Sequence, residues 1–374
     1  MSEVIKAGPT KRLWVRITAC VLSLALIVSL GVNALVAVKI QTAQAHEAAT
    51  NYLVENTEYV SAELLERLGE KLRTLPEPMN IEDYYRLAGT QIAEEKYEEA
   101  LFSIEKCIEL FDDNQTDELW IDLLMKKGCL EVLTQRFDKA EGTLNAVLQA
   151  DPEQKEVYLI LAQIHAGYDD LDLLEEDLNN YLAKAKDDLQ IRALLAQTLF
   201  AKEEYEAAGE QYLLILDSQA EGVDMAEMNY LYALTGIQLE NYQIAKEHME
   251  AAIQLDESKL DAYYYLGICN MAQEEYEKAV ESFTKAIDGN SMMQLSYYSR
   301  GVCGLMIEQY DYQKALDDLK QTEVYNGADL DPEISAQAAD LLAELEAVGL
   351  ENRPRSEIVI STKNDENTEN SDNE

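Results

Sequence analysis

The chain has 374 residues, 47% of them hydrophobic, and its 30 Lys and Arg against 72 Asp and Glu give a formal net charge of −42. Such a charge repels phosphate backbones and anionic lipid surfaces, which excludes nucleic acid and leaves basic or apolar protein segments as partners. With only six prolines and sixteen glycines the chain reads as all-helical; three scattered histidines, five cysteines without metal or redox spacing and no HExxH, GxSxG or phosphate loop yield no catalytic residue, metal ligand or cofactor site.

Residues 1–16 carry Lys6, Lys11, Arg12 and Arg16, and Ile17 to Val38 form an apolar run of 22 residues. At about 1.5 Å per residue the run reaches roughly 33 Å, enough for a hydrocarbon core of about 30 Å, so residues 17–38 are predicted as a transmembrane helix. Trp14 would anchor the entering interface, and only Lys39 follows the exit. The positive-inside bias then puts residues 1–16 in the cytoplasm and the rest of the chain outside it. Ala43-Gln44-Ala45 would fit a signal cleavage site, but the run exceeds the roughly 7–15 residues usual before one. In residues 39–80, Leu53, Val60, Leu64, Leu68 and Leu72 recur at helical spacing before Pro76 and Pro78. This stretch is expected to be a stalk or a capping helix over the first repeat, its leucines offering an alternative route to a homo-oligomer.

The best-formed stretch of the remainder is Leu260 to Ile287, two short amphipathic helices about a polar Gln273-Glu274-Glu275 turn. Gly267 and Ala279 fall where the helices cross, and a unit this short has to bury its apolar face on copies of itself. Tyr263, Leu266, Gly267, Tyr276, Ala279, Phe283 and Ala286 occupy seven typed places, and in them the stretch resembles the tetratricopeptide repeat, a unit of about 34 residues. The same frame collects Tyr84, Leu87, Ala88, Tyr97 and Ala100, then Leu124, Gly128, Phe137 and Ala140. Further copies carry Leu195, Ala196, Tyr205 and Ala208, and Tyr232, Ala233, Tyr242 and Ala245. About seven repeats are counted over 81–325. The third has Leu174 where a small residue belongs, which predicts a wider crossing or a shifted register; the seventh has Arg300 at the usual Leu place. A closing helix over Glu333–Ala347, within 326–349, puts Ile334, Ala338, Leu341, Leu342 and Leu345 on one face, and residues 350–374 form an acidic tail expected to be disordered.

The resemblance implies an all-α, tetratricopeptide-type helical-hairpin solenoid, a right-handed superhelix, here preceded by one transmembrane helix. It also implies that the first helix of each repeat lines a concave groove through its fifth, ninth and twelfth places. Those places make Tyr85, Phe200, Tyr230, Leu234, Tyr264, Ile268, Met271, Tyr298 and Val302 the candidate partner-binding residues. Stacked tyrosines give flat apolar area with a hydroxyl for peptide amides, although tyrosine at the fifth place also serves packing. Family members that clamp a terminal carboxylate use Lys, Arg and Asn in the groove, a set this chain largely lacks. The expected function is a membrane-anchored scaffold, not an enzyme, that binds a protein or peptide segment in its groove during bacterial cell-envelope assembly or regulation. The alternatives are a self-assembling spacer without a groove ligand and a non-catalytic subunit of a membrane enzyme complex.

Overall fold

A computed structural model describes residues 80–347, apart from 113, 114, 221, 328 and 329, together with Ala49, Tyr52 and Leu53. The predicted span at 17–38, most of the 39–80 stretch and the acidic tail lie outside the described residues. Among the described residues there are fifteen α-helices and no strand. They fall into two compact units divided after Val223. The N-terminal unit contains α1 (Ile81–Ala93), α2 (Tyr97–Glu109), α3 (Asp117–Leu133), α4 (Phe137–Ala150), α5 (Lys155–Gly167), α6 (Leu171–Lys184), α7 (Leu189–Ala201) and α8 (Tyr205–Ser218). The C-terminal unit contains α9 (Met225–Gln238), α10 (Tyr242–Leu255), α11 (Leu260–Ala272), α12 (Tyr276–Asp288), α13 (Met293–Met306), α14 (Tyr312–Glu323) and α15 (Pro332–Ala347). Successive helices pack in pairs, giving four hairpins in the first unit and three in the second, where α15 closes the last.

Local chemistry starts the helices. Asn80 caps α1 with its side chain on the Asp83 N–H at 3.0 Å while Asp83 accepts from the Asn80 N–H at 3.2 Å, a reciprocal capping box. Thr116, Asp170, Asp188, Asp224 and Asp311 cap later helices, where a short oxygen-bearing side chain satisfies a free N–H and a carboxylate also meets the positive end of the helix dipole.

The corners between paired helices share one design. In hairpins one to six the first helix ends on a non-glycine residue in the left-handed region, Glu95, Gln135, Asp169, Glu203, Glu240 and Glu274, with φ between 57° and 63°. At Glu274 its own N–H donates to the Met271 carbonyl at 3.0 Å and the Glu275 N–H to the Asn270 carbonyl at 2.8 Å. This nested pair is how glycine-terminated helices usually close. A residue with a Cβ costs roughly 1 kcal/mol there, and two hydrogen bonds worth about 0.5–1.5 kcal/mol each net are enough to offset it.

Behind each corner the helices approach closely. A Cβ on Gly267 would lie 2.5 Å from the buried Phe283 ring, and one on Gly301 would lie 3.1 Å from the Ala315 carbonyl oxygen. Glycine at the crossing therefore admits an aromatic ring in hairpin six and the facing backbone in hairpin seven. Buried polar clasps then join the two helices. Ser103 donates to Gln91 at 2.7 Å, Thr143 to Glu131 at 2.7 Å, His165 Nδ1 lies 2.7 Å from Asp177, and Asn270 donates to Ser282 at 3.4 Å. All four pairs are 12 residues apart. The third hairpin thus keeps the register of its neighbours, and Leu174 is buried at its crossing, 1% exposed. Hairpins four and five use a different pair 19 residues apart, Arg192–Gln211 at 2.8 Å and His248–Asn229 at 2.7 Å.

The His165–Asp177 clasp carries a pH signature. Its hydrogen bond to Asp177 raises the imidazole above its usual range, and burial raises the Asp177 carboxyl. The histidine shift contributes stability that is complete below the unfolded value of about 6.5 and is lost as pH rises through the folded value, whereas the carboxyl shift acts at lower pH, from the unfolded carboxyl value of about 3.9 upward. The melting-temperature gap between wild type and His165→Gln should be widest near pH 5 to 6, where a charge-assisted hydrogen bond is worth about 1.5–3 kcal/mol, and should narrow toward about pH 9. A gap that stays constant over that range would show that the pair does not titrate with folding.

The last hairpin and α15 share a core in which Tyr298, Val302, Ala315 and Leu319 meet Ile334, Ala338, Leu341 and Leu345. Gln294 clamps the start of α15, donating to the Asp331 carbonyl at 3.0 Å and accepting from the Asp331 N–H at 2.6 Å.

Candidate functional site

In the N-terminal unit the first helices of hairpins one to three carry a buried polar cluster. The half-buried Tyr85 of α1 donates its hydroxyl to Asp122 Oδ2 of α3 at 2.7 Å. Asp122 is ion-paired with Lys126 one turn on, and the Lys126 ammonium lies 5.2 Å from the centre of the Tyr85 ring. The Lys126 side chain is only 4% exposed, so its charge is held by one carboxylate and one aromatic face. Burial first, and then the hydrogen bond to Asp122, push the Tyr85 phenol up. Tyr52 reaches the same place. Its phenol is raised by burial and then by Asp122, Cys129 and Glu156. Ala49 and Leu53 are buried in the apolar cluster that includes Ala88, Ile92, Met125, Cys129 and Ile160. Phe200, at the far end of this unit, is buried and packs edge-on against Tyr205 with ring centres 5.1 Å apart.

The C-terminal unit carries an aromatic band. Tyr230 of α9 meets Tyr265 of α11 at 5.9 Å, Tyr265 meets Tyr264 at 5.2 Å, and Tyr264 meets Phe283 at 5.7 Å. Lys259 lies 5.8 Å from the centre of the half-buried Tyr230 ring and is paired with Glu227 at 2.6 Å. Leu234, Ile268 and Met271 are buried on the same helices, and Tyr298 and Val302 belong to the core shared with α15. Burial pushes the Tyr264 and Tyr265 phenols up. The Tyr264 hydroxyl faces that of Ser299, whose hydrogen bond offsets part of the rise in the phenol, and both residues are fully buried.

The nine candidate residues divide between the two units. Tyr85 and Phe200 lie in the N-terminal unit and the other seven in the C-terminal unit, where Tyr265 links Tyr230 to Tyr264. Tyr265, Ser299, Asp122 and Lys126 were missed by the repeat frame. The run Tyr263-Tyr264-Tyr265 held a signal for the first, since three consecutive residues sweep about 200° of a helix and cannot all serve one face.

The thiols of Cys107, Cys129, Cys269 and Cys303 are free and buried, and burial pushes the first three up to about 12. They pack as small apolar groups. Among the described residues no group of acids, histidines and cysteines could hold a metal ion.

Family models described as tetratricopeptide repeat match residues 84–114 and 233–291, that is, hairpin one and most of hairpins five and six. No curated protein matches the chain. Among solved structures, PilF of Pseudomonas aeruginosa is 17% identical and aligns over 62% of this chain and 100% of its own with a TM-score of 0.43. A tetratricopeptide repeat protein from Parabacteroides merdae is 14% identical over 71% of this chain and 98% of its own, with a TM-score of 0.43. YrrB, described as having an unusual peptide-binding site, is 17% identical over 55% and 97%, with a TM-score of 0.42. At such low identities and TM-scores these likenesses carry nothing about ligands.

Proposed function

Because the chain is a tetratricopeptide-repeat protein, we propose that it is a scaffold that binds a protein or peptide segment on the first-helix face of its C-terminal hairpins. The observation that carries this reading is the tyrosine band Tyr230–Tyr265–Tyr264, in which the half-buried Tyr230 is the accessible end and Tyr265 and Tyr264 are buried behind it. A peptide backbone can hydrogen-bond the Tyr230 hydroxyl, and apolar side chains can lie on the accessible part of its ring. The surplus of acids, with Glu227 and Asp261 acting on Tyr230, favours a basic flank on the ligand. In the same reading residues 17–38 anchor the chain in a membrane with the repeats outside the cytoplasm, serving cell-envelope assembly or regulation. Among the described residues no helix is long and apolar enough to cross a membrane, so the anchor rests on the apolar run and its basic flank alone.

An array of apolar, basic and acidic peptides, read by fluorescence anisotropy with the full-length chain, tests the proposal. Apolar and basic sequences should bind and acidic ones should not. Tyr230→Phe removes the hydroxyl at the accessible end of the band without emptying the core. It should weaken the best binders about two- to tenfold, the range of one ordinary hydrogen bond. Equal binding by wild type and variant, or preference for acidic peptides, would refute the proposal.

A further inference from the structure

The residues Ala49, Tyr52 and Leu53 are helical, and their spacing puts them on one face of a helix. They are far from the next described residue, Asn80, yet Ala49 is 0% and Leu53 is 1% exposed. A helix that merely capped the array would touch the first hairpin. Instead, the Tyr52 phenol is acted on by Asp122 and Cys129 of α3 and by Glu156 of α5, and it acts in turn on Tyr85 of α1. Tyr52 itself packs against the buried apolar cluster of this unit, as Tyr85 does. The apolar cluster that takes up Ala49 and Leu53 draws on Ala88 and Ile92 of α1, Met125, Cys129 and Val132 of α3, and Ile160 and Ile164 of α5, together with second-helix residues such as Leu101 and Ile104 of α2 and Leu144 of α4.

We infer that the first-helix face of the N-terminal unit is a peptide-binding surface that the chain fills itself, with Ala49, Tyr52 and Leu53 as its resident ligand. Each residue has a distinct part. The small Ala49 lets the segment lie close, Leu53 fills apolar space in the cluster, and Tyr52 places its phenol where the charges of Asp122 and Glu156 act on it. Any outside protein that uses this face must displace the segment, and must offer a small, an aromatic and a large apolar residue at the same helical spacing. The inference concerns the N-terminal unit alone and stands whether or not the tyrosine band of the C-terminal unit takes a ligand.

The test uses the full-length chain and a fluorescent peptide of residues 45–57. Wild type, with its face occupied, should bind the peptide at least tenfold more weakly than a chain carrying Ala49→Asp and Leu53→Asp, and a peptide carrying Tyr52→Ala should lose most of that binding. Equal binding to both chains would overturn the inference. So would no binding to a variant that keeps the wild-type circular dichroism and melting curve. A second measurement does not depend on the variant's folding. Benzoylphenylalanine in place of Tyr52 should, on irradiation, cross-link to peptides containing Asp122 or Glu156 of the same molecule. Cross-links mapped to other helices, or formed between isotopically light and heavy copies, would overturn the inference.

Discussion

Replacing Arg300 by methionine should destabilise the C-terminal unit by about 3–5 kcal/mol, the range for removing one partner of a buried ion pair. Arg300 sits where the repeat ordinarily has Leu, in the middle of α13. Its Nε and one terminal nitrogen donate to the two oxygens of Asp318 in α14, both at 2.8 Å, and its other terminal nitrogen donates to Thr284 of α12 at 3.1 Å. One side chain therefore fastens hairpin seven internally and ties it to hairpin six. The side chains are 18% and 9% exposed, so methionine would leave the Asp318 carboxylate with little water to replace a bidentate partner. Urea denaturation of the full-length chain, followed by tryptic sensitivity of residues 293–347, measures the loss. A double change, Arg300→Met with Asp318→Leu, leaves no charge behind and should recover most of it. A loss well under 1 kcal/mol for the single change would place the pair among solvated surface bridges, which contribute about that little.

A second large effect is expected at Asp122. Asp122→Ala removes the carboxylate that both accepts the Tyr85 hydroxyl and neutralises Lys126, leaving an ammonium group on a side chain that is 4% exposed. The cost should again approach about 3–5 kcal/mol, here in the N-terminal unit. Lysine has a long stem and can swing its charge toward solvent more readily than a carboxylate held on a short one, so the effect should be the smaller of the two. Thermal melts of Asp122→Ala, Lys126→Met and the double variant resolve the question. The double variant should melt above Asp122→Ala. If it melts below, Lys126 is held by its packing on Tyr85 rather than by its charge.

The architecture was legible in the sequence wherever a small residue had to face a large one. Gly267 against Phe283 is such a place, and so is the run of Ile334, Ala338, Leu341 and Leu345 that closes the last hairpin. The frame failed at positions where two residues act jointly. His165 on its own reads as a packed or surface imidazole; only the helix crossing shows that Asp177, 12 residues on, is its partner. Leu174 suggested a wider crossing or a shifted register in the third repeat, and the clasp that keeps the register is not visible from the size of one residue. Tyr265 escaped because the frame assigns a groove role to its neighbour Tyr264. Long-range pairing of this kind leaves no periodic trace.

The nested corners at Glu95, Gln135, Asp169, Glu203, Glu240 and Glu274 bear on how the chain folds in time. Each is closed by hydrogen bonds spanning three to five residues, so a hairpin turn can form before any distant segment arrives. Chains dominated by such local contacts have low contact order and cross their folding barrier quickly. Every one of these six hairpins is therefore a possible nucleus, and growth can proceed from it toward either terminus.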